Sequence, residues 1–316
     1  MPRDRGGASG APCPDPRAVA NWPLWNCTAK TCENLRPAAS KDGPWHTAFV
    51  PEVCQRLKLE RLQLELAPPV ARVWLNRPEV RNAFDGLMVT ELRKTLFDLG
   101  TIDAIRVIEL GGRGPAFCAG GDLAWMKATA SFTREENLRE AQAMADLFFT
   151  VYNSPKPVVA RVHGAALGGG SGLVAACDIA VGALGTQFGF TEVRLGIIPA
   201  VISPYVVAKI GESAARELFL TGERFEAVRA QEIGLLRAAV PEEDLDAAVA
   251  GRVGELLKSG PRAVAEAKAL IREVAFKRVE DVQRYTVERI ADIRVTAEAQ
   301  EGMRAFLEKR KPSWCE

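Results

Sequence analysis

From about residue 60 the chain alternates between two spacings of apolar side chains. LQLELA (62–67) and VARVWLN (70–76) are strand-like, and the turn-favouring Pro68-Pro69 between them makes a hairpin. Met88, Leu92, Leu96 and Leu99 recur at helical spacing and fall on one face. AIRVIELGG (104–112) reads as a buried strand ending in Gly-Gly. A second helical pattern over 134–152 is expected to turn Leu138, Met144, Leu147, Phe148 and Val151 inward. PVVARVHG (157–164) is a further strand, followed by a glycine-rich stretch and a helix over GLVAACD; DIAVGA and QFGF are short strands. Past residue 242 no strand is expected. Three helical stretches, near 242–258, 261–276 and 280–309, follow, and Gly260-Pro261 separates the first two. Strands alternating with helices imply an α/β fold, here with a helical tail and no internal repeat.

Residues 1–56 are rich in Pro, Gly, Ala, Asn and Cys and show no sustained period, so they read as a poorly ordered extension. The expected units are this extension, a core over 57–241 and a helical region over 242–316. The 316-residue chain is 47% hydrophobic and 26% charged, an ordinary globular balance. Its 41 basic residues are scattered among 40 acidic ones, for a net charge of +1. A nucleic-acid surface needs clustered positive charge, so none is expected. No apolar run reaches the roughly 20 residues of a membrane span, and the first residues lack a secretory apolar segment; a cytoplasmic location is the default. Seven cysteines form no Cys-x-x-Cys pair, and only His46 and His163 join them, which leaves little for a zinc site or a histidine-activated nucleophile.

Four stretches can carry chemistry. In Gly114–Leu123 (GPAFCAGGDL) small residues follow a strand and an acid opens the next segment, so a ligand can approach the backbone closely. His163–Gly172 (HGAALGGGSG) runs into an apolar helix and offers backbone donors at its N-terminus. Within it, Gly170–Ala175 matches a dinucleotide-binding fingerprint, but the preceding strand ends too early for that fold. Ser171 lacks the glycine at 173 that a nucleophile elbow requires, and His163 reads as a packed strand-end residue. In Phe188–Pro199 (FGFTEVRLGIIP), Glu192 sits among Phe190, Val193 and Leu195. Desolvation there raises a carboxyl pKa and suits it to proton transfer, unless Arg194 pairs with it. Finally, Glu301–Pro312 (EGMRAFLEKRKP) carries a basic run that fits either a phosphate or a solvated helix end.

The order and spacing of these pieces resemble the crotonase (enoyl-CoA hydratase/isomerase) superfamily over about residues 60–313. The matching pieces are Leu75-Asn76-Arg77-Pro78 with Arg81-Asn82-Ala83-Phe84, then AFCAGGDL, KPVVARVHGAALGGG, CDIAV, FGFTEVRLGIIP, LTGERF, GLL and AFLEKRKP. The resemblance implies a spiral of ββα units and a helical C-terminal region that builds a homotrimer, often paired into a homohexamer. It implies an acyl-CoA thioester substrate whose carbonyl oxygen is held by the Gly121 and Gly169 amides, with Glu192 as acid/base. Ala119, Asp122, Leu123, Phe306 and Lys309 match the positions that meet coenzyme A. No metal or redox cofactor is implied, because coenzyme A is part of the substrate, and no nucleic-acid or membrane partner. One position departs from the pattern: hydratases of this kind hold water between two glutamates, and the first falls at Gly172. Ala200–Tyr205 (AVISPY) resembles bacterial methylglutaconyl-CoA hydratases, some of which carry glycine there; Ser203 or the substrate's own distal carboxylate then helps place the water. Hydration of a branched or carboxylated 2-enoyl-CoA is the first expectation, double-bond isomerisation by a single glutamate the second, and acyl-CoA binding without turnover the third.

Overall fold

The computed structural model describes residues 59–315. The expected extension over 1–56 lies outside them.

The hairpin forms as expected, with β1 (Leu62–Ala67) antiparallel to β2 (Val70–Leu75). Next come α1 (Gly86–Gly100), β3 (Val107–Gly112), α2 (Leu123–Thr129), α3 (Arg134–Asn153), β4 (Val158–Val162), β5 (Ala165–Leu167), α4 (Gly169–Ala176), β6 (Ile179–Ala183) and β7 (Gln187–Gly189). A 3-10 turn over Thr191–Leu195 leads to α5 (Ser203–Thr221), β8 (Arg224–Glu226), α6 (Ala227–Glu232) and β9 (Ala238–Val240). The tail is helical: α7 (Leu245–Leu257), α8 (Pro261–Val274), α9 (Val279–Arg294) and α10 (Ala297–Leu307). It holds four main helices, not three. The stretch expected over 280–309 breaks at Val295-Thr296, where the Thr296 hydroxyl accepts from Ala299 N and caps a new helix.

Six strands form one sheet in the order β1-β2-β3-β4-β6-β9, parallel except for the hairpin. Parallel sheets bury both faces, and the alternation of side chains distributes them. Ala71, Val73, Ile108, Leu110, Val158, Ala160 and Val162 enter the main core with Met88, Leu92, Leu96 and Leu99 of α1. The alternate positions Val70, Val107, Val159 and Val181 pack instead with Leu245, Val249 and Val253 of α7. In α3, Leu147, Phe148 and Val151 are buried and Met144 is half-buried, but Leu138 is 58% exposed. The inward expectation fails there because only the second half of α3 is covered by the core.

A second, three-stranded sheet sets the site. β5 runs parallel to β7, pairing Ala165 with Gln187 and Leu167 with Gly189, and β8 completes it antiparallel to β7. This pairing lays the glycine-rich stretch that opens α4 beside the chain that enters the turn bearing Glu192. It also disposes of the dinucleotide fingerprint: β5 intervenes after β4, and Gly170–Ala175 lies inside α4.

Candidate active site

Two strand-like threads cross beneath the site. The segment after β3 lies between residues 163–167 on one side and 81–84 on the other. Phe117 N donates to His163 O, Cys118 N to Ala165 O, and Leu167 N to Cys118 O. On the opposite side Phe84 N donates to Gly120 O (2.7 Å) and Asp122 N to Phe84 O (2.9 Å). In such a bridge the intervening N–H points away from the partner strand. That group is the Gly121 amide, and it donates to no described residue. Gly120 adopts φ +96°, and a Cβ on it would lie 2.9 Å from Leu167 O, so the two loops touch through bare backbone.

The second free donor opens α4. Gly168 adopts φ 50°, ψ −120°, a conformation suited to glycine, and its N–H donates to Gly189 O at 2.8 Å. Gly169 is the first residue of α4, and its N–H is one of the orphan donors of a helix start. Ser171 is fully buried, and its hydroxyl donates to Ala166 O at 2.6 Å, which ties the loop to α4. His163 is 7% exposed and its Nε2 lies 2.8 Å from Gly114 O, a packing role. Burial pushes the Cys118 thiol up to about 12, so no thiolate is available there.

Glu192 stands against this second loop. A Cβ on Gly168 would lie 3.2 Å from Glu192 Oε1 and 3.9 Å from Oε2, so the carboxylate faces the residue preceding the free Gly169 amide. Oε2 is buried and has no hydrogen-bond partner among the described residues. Burial raises the Glu192 pKa above its ordinary value, opposed by the residue's own backbone N–H. Arg194 does not pair with it; its Nε reaches Thr221 O instead. Phe190 is fully buried beneath the turn, whereas Leu195 is 62% exposed and does not help to bury the acid. A half-buried carboxylate whose Oε2 has no partner among the described residues, set one residue from the unused Gly169 amide, can exchange a proton with a group whose negative charge that amide helps to hold.

Arg77 and Asn82, for which the sequence predicts no chemical role, fix this arrangement together with Asp122. Asn82, fully buried and in the left-handed region, accepts from Arg77 N and donates to Arg113 O (2.8 Å) and Ala116 O (2.7 Å). Arg77 Nη1 donates to Ala83 O, and its Nη2 pairs with Asp122 Oδ2 at 2.8 Å. Asp122 also caps α2 by accepting from Ala124 N and Trp125 N. Burial works to raise the Asp122 pKa, but the bonds from Arg77, Trp125 and Ala124 outweigh it and hold the carboxyl below its ordinary value. The Asp122 side chain, N–H and C=O are therefore all engaged, the last by Met126 N. Ala119 is half-buried with its N–H on Arg81 O, its carbonyl accepts from no described residue, and Leu123 is 82% exposed. Phe306 (82% exposed) sits in the last turn of α10 and Lys309 two residues past its end, and no described hydrogen bond, ion pair or ring contact joins them to the glycine loops or Glu192. Ser203 Oγ donates to Ala200 O at 2.8 Å, a local turn bond.

A cavity of about 380 Å³ opens beside Met144, a residue that touches the opening of α4. Its lining includes Trp125, Phe132, Glu136, Arg139, Glu140 and Met144. Met144 Cε would lie 3.6 Å from a Cβ on Gly169, and Met126 Sδ, adjacent in sequence to Trp125, 3.5 Å from one on Gly121. Among the described residues no group of three or more His, Cys, Asp or Glu is placed to hold a metal ion, and no helix is long and apolar enough to cross a membrane.

Comparison with known proteins agrees with this geometry. Residues 66–316 match the family model described as enoyl-CoA hydratase/isomerase. A Thermus thermophilus protein assigned as an enoyl-CoA hydratase is 40% identical over 244 residues, covering 77% of this chain and 96% of that protein. A crotonyl-CoA hydratase from Syntrophomonas wolfei is 30% identical, with 81% of this chain and 98% of that protein covered. The crystal structure of an enoyl-CoA hydratase from Shewanella pealeana superposes with a TM-score of 0.79 at 39% identity, covering 81% of this chain and 97% of that one. With the mixed α/β core, the helical tail and this match over most of its length, the chain belongs to the enoyl-CoA hydratase/isomerase family of the crotonase superfamily, and is an enzyme of that family.

Proposed function

We propose that the chain adds water across the double bond of a 2-enoyl-CoA thioester. The observation that carries this reading is the Glu192 carboxylate beside Gly168, one residue from the unused Gly169 amide, with its Oε2 buried and without a partner among the described residues. The thioester oxygen accepts from Gly121 N–H and Gly169 N–H, which draws electron density from C3. Glu192 takes a proton from water as the water oxygen bonds to C3, and the π electrons pass to an enolate on the thioester oxygen. The same carboxyl then returns a proton to C2, so both additions occur on one face. Fixed donors of this kind contribute on the order of 3–4 kcal/mol each to the transition state. The names of the Thermus, Syntrophomonas and Shewanella relatives support hydration.

The acyl group in this reading is branched or carboxylated, with 3-methylglutaconyl-CoA as the type. Arg139 lines the cavity that meets the opening of α4 at Met144 and would supply a partner for a distal carboxylate, although Glu136 and Glu140 flank it. Coenzyme A meets the backbone at Ala119, Asp122 and Leu123, where the Ala119 carbonyl accepts from no described residue, and the side chains of Phe306 and Lys309. Those two stand in solvent in a single chain, which fits a site completed across a subunit boundary in a homotrimer or homohexamer. Exposed apolar side chains such as Phe276, Val279, Val295 and Leu307 support the same assembly. A cytoplasmic location accords with the soluble acyl-CoA substrate. The second reading, double-bond isomerisation, is favoured by Gly172, which leaves Glu192 without a second acid. Ultraviolet absorbance of the conjugated thioester separates the two: hydration lowers it for crotonyl-CoA or 3-methylglutaconyl-CoA. A flat trace with both, and a rise with a 3-enoyl-CoA, would replace hydration by isomerisation.

A further inference from the structure

Gly172 lies in the first turn of α4, three residues beyond the free Gly169 amide, and is buried. A Cβ built on it would lie 2.1 Å from Ile202 Cγ2, 2.6 Å from Ile202 Cβ and 3.4 Å from Cδ1. Those contacts involve a branch point tied to the backbone, not the loose end of a long chain. Ile202 is itself 3% exposed and stands at the N-terminus of α5, which packs on α4. Neither helix can therefore yield locally without disturbing the core. Even alanine does not fit at 172 while 202 is isoleucine.

We propose that Ile202 is a positioning residue that decides the reaction's acid/base inventory: it fills the room a side chain at 172 would need, and so leaves Glu192 as the sole side-chain acid against the opening of α4 among the described residues. This rests on Glu192 being the acid/base. The consequence is a site in which no second carboxylate grips the water. Ile202 and Gly172 form a steric pair, so a carboxylate can be installed at 172 only if 202 is cut back at the same time.

The test compares melting and turnover in the full chain. Gly172→Ala alone should lower the apparent Tm by roughly 3–10 °C, the range for overpacking a dense core. In an Ile202→Gly background the same change should cost nothing measurable. Gly172→Glu with Ile202→Gly should hydrate crotonyl-CoA at least about tenfold faster than Ile202→Gly alone, with a second ionisation on the acid limb of its pH profile. An equal Tm cost of Gly172→Ala in both backgrounds would overturn the steric pair. So would a Gly172→Glu protein that melts like the parent with Ile202 in place. A well-folded double variant with no gain in hydration and no added ionisation would overturn the chemical half. If Glu192→Gln leaves turnover intact, the Glu192 reading fails, and the melting comparison still decides the steric pair.

Discussion

Asn82→Ala isolates the clamp that holds the Gly121 loop. The side chain has no solvent exposure and makes three hydrogen bonds, with Arg77 N, Arg113 O and Ala116 O. Alanine leaves these backbone groups without their partner, at least one of them fully buried. Each unsatisfied group costs about 1–3 kcal/mol, and the three share one site, so a total of about 3–5 kcal/mol is the working figure. The backbone adds to it, because Asn82 adopts φ 57°, where alanine costs about 1 kcal/mol more than asparagine. With the backbone cost the total is about 4–6 kcal/mol, and at roughly 2–4 °C per kcal/mol the melting point should fall by about 8–24 °C. Turnover should fall too, because Arg113 and Ala116 lead directly into the segment that carries the free Gly121 amide. Asn82→Gly separates the two contributions: it relieves the backbone cost but not the lost hydrogen bonds, and should recover only about 1 kcal/mol. Thermal melting and turnover of an enoyl-CoA, measured on the same preparations, give both quantities. An Asn82→Ala protein that melts within about 3 °C of the parent and turns over at the parental rate would refute the clamp.

Three further outcomes follow from the same geometry. Burial raises the Glu192 pKa, so the folded state binds that proton more tightly than the unfolded chain does. The favourable contribution is thus present below the unfolded value and lost as pH rises through the folded one. Glu192→Gln should accordingly raise the melting point at neutral pH, with the gain shrinking toward acid pH; a variant less stable than the parent at pH 7 would contradict this. In the parent, the acid limb of kcat/KM should fall off above the ordinary glutamate range, and an inflection at or below that range would count against a desolvated base. Arg139→Ala should raise KM about tenfold for a thioester with a distal carboxylate and leave crotonyl-CoA unchanged, as the loss of one charged hydrogen bond implies; equal effects on both would remove Arg139 from substrate recognition.

Much of the fold is legible because its signals are local. The six-residue strands β1, β2 and β3 are apolar runs bounded by Pro or Gly, and α1 carries its apolar face at regular spacing. β5 and β8 have three residues each, too short for a period to register, yet β5 is what brings Gly168 to Gly189. α5 is interrupted by Gly211 at φ 76°, which breaks its pattern. The break before α10 rests on one threonine cap in an otherwise continuous, mostly polar helical pattern. At the site, Glu192 and the glycine loops are recognisable as types, but their meeting depends on the β5–β7 register. The Arg77–Asp122 and Asn82–Ala116 contacts join residues more than thirty positions apart, and nothing near either end of such a pair announces the other.

The central claim is that Glu192 moves the proton while the glycine amides hold the thioester oxygen. It is tested most directly by following the ultraviolet absorbance of crotonyl-CoA and 3-methylglutaconyl-CoA with the parent and with Glu192→Gln, while the affinity of each protein for the thioester is measured separately. The account predicts that absorbance falls with the parent on at least one substrate, and that the variant binds as well but turns over about 10²–10⁴-fold more slowly. A variant that binds and hydrates at the parental rate would contradict it.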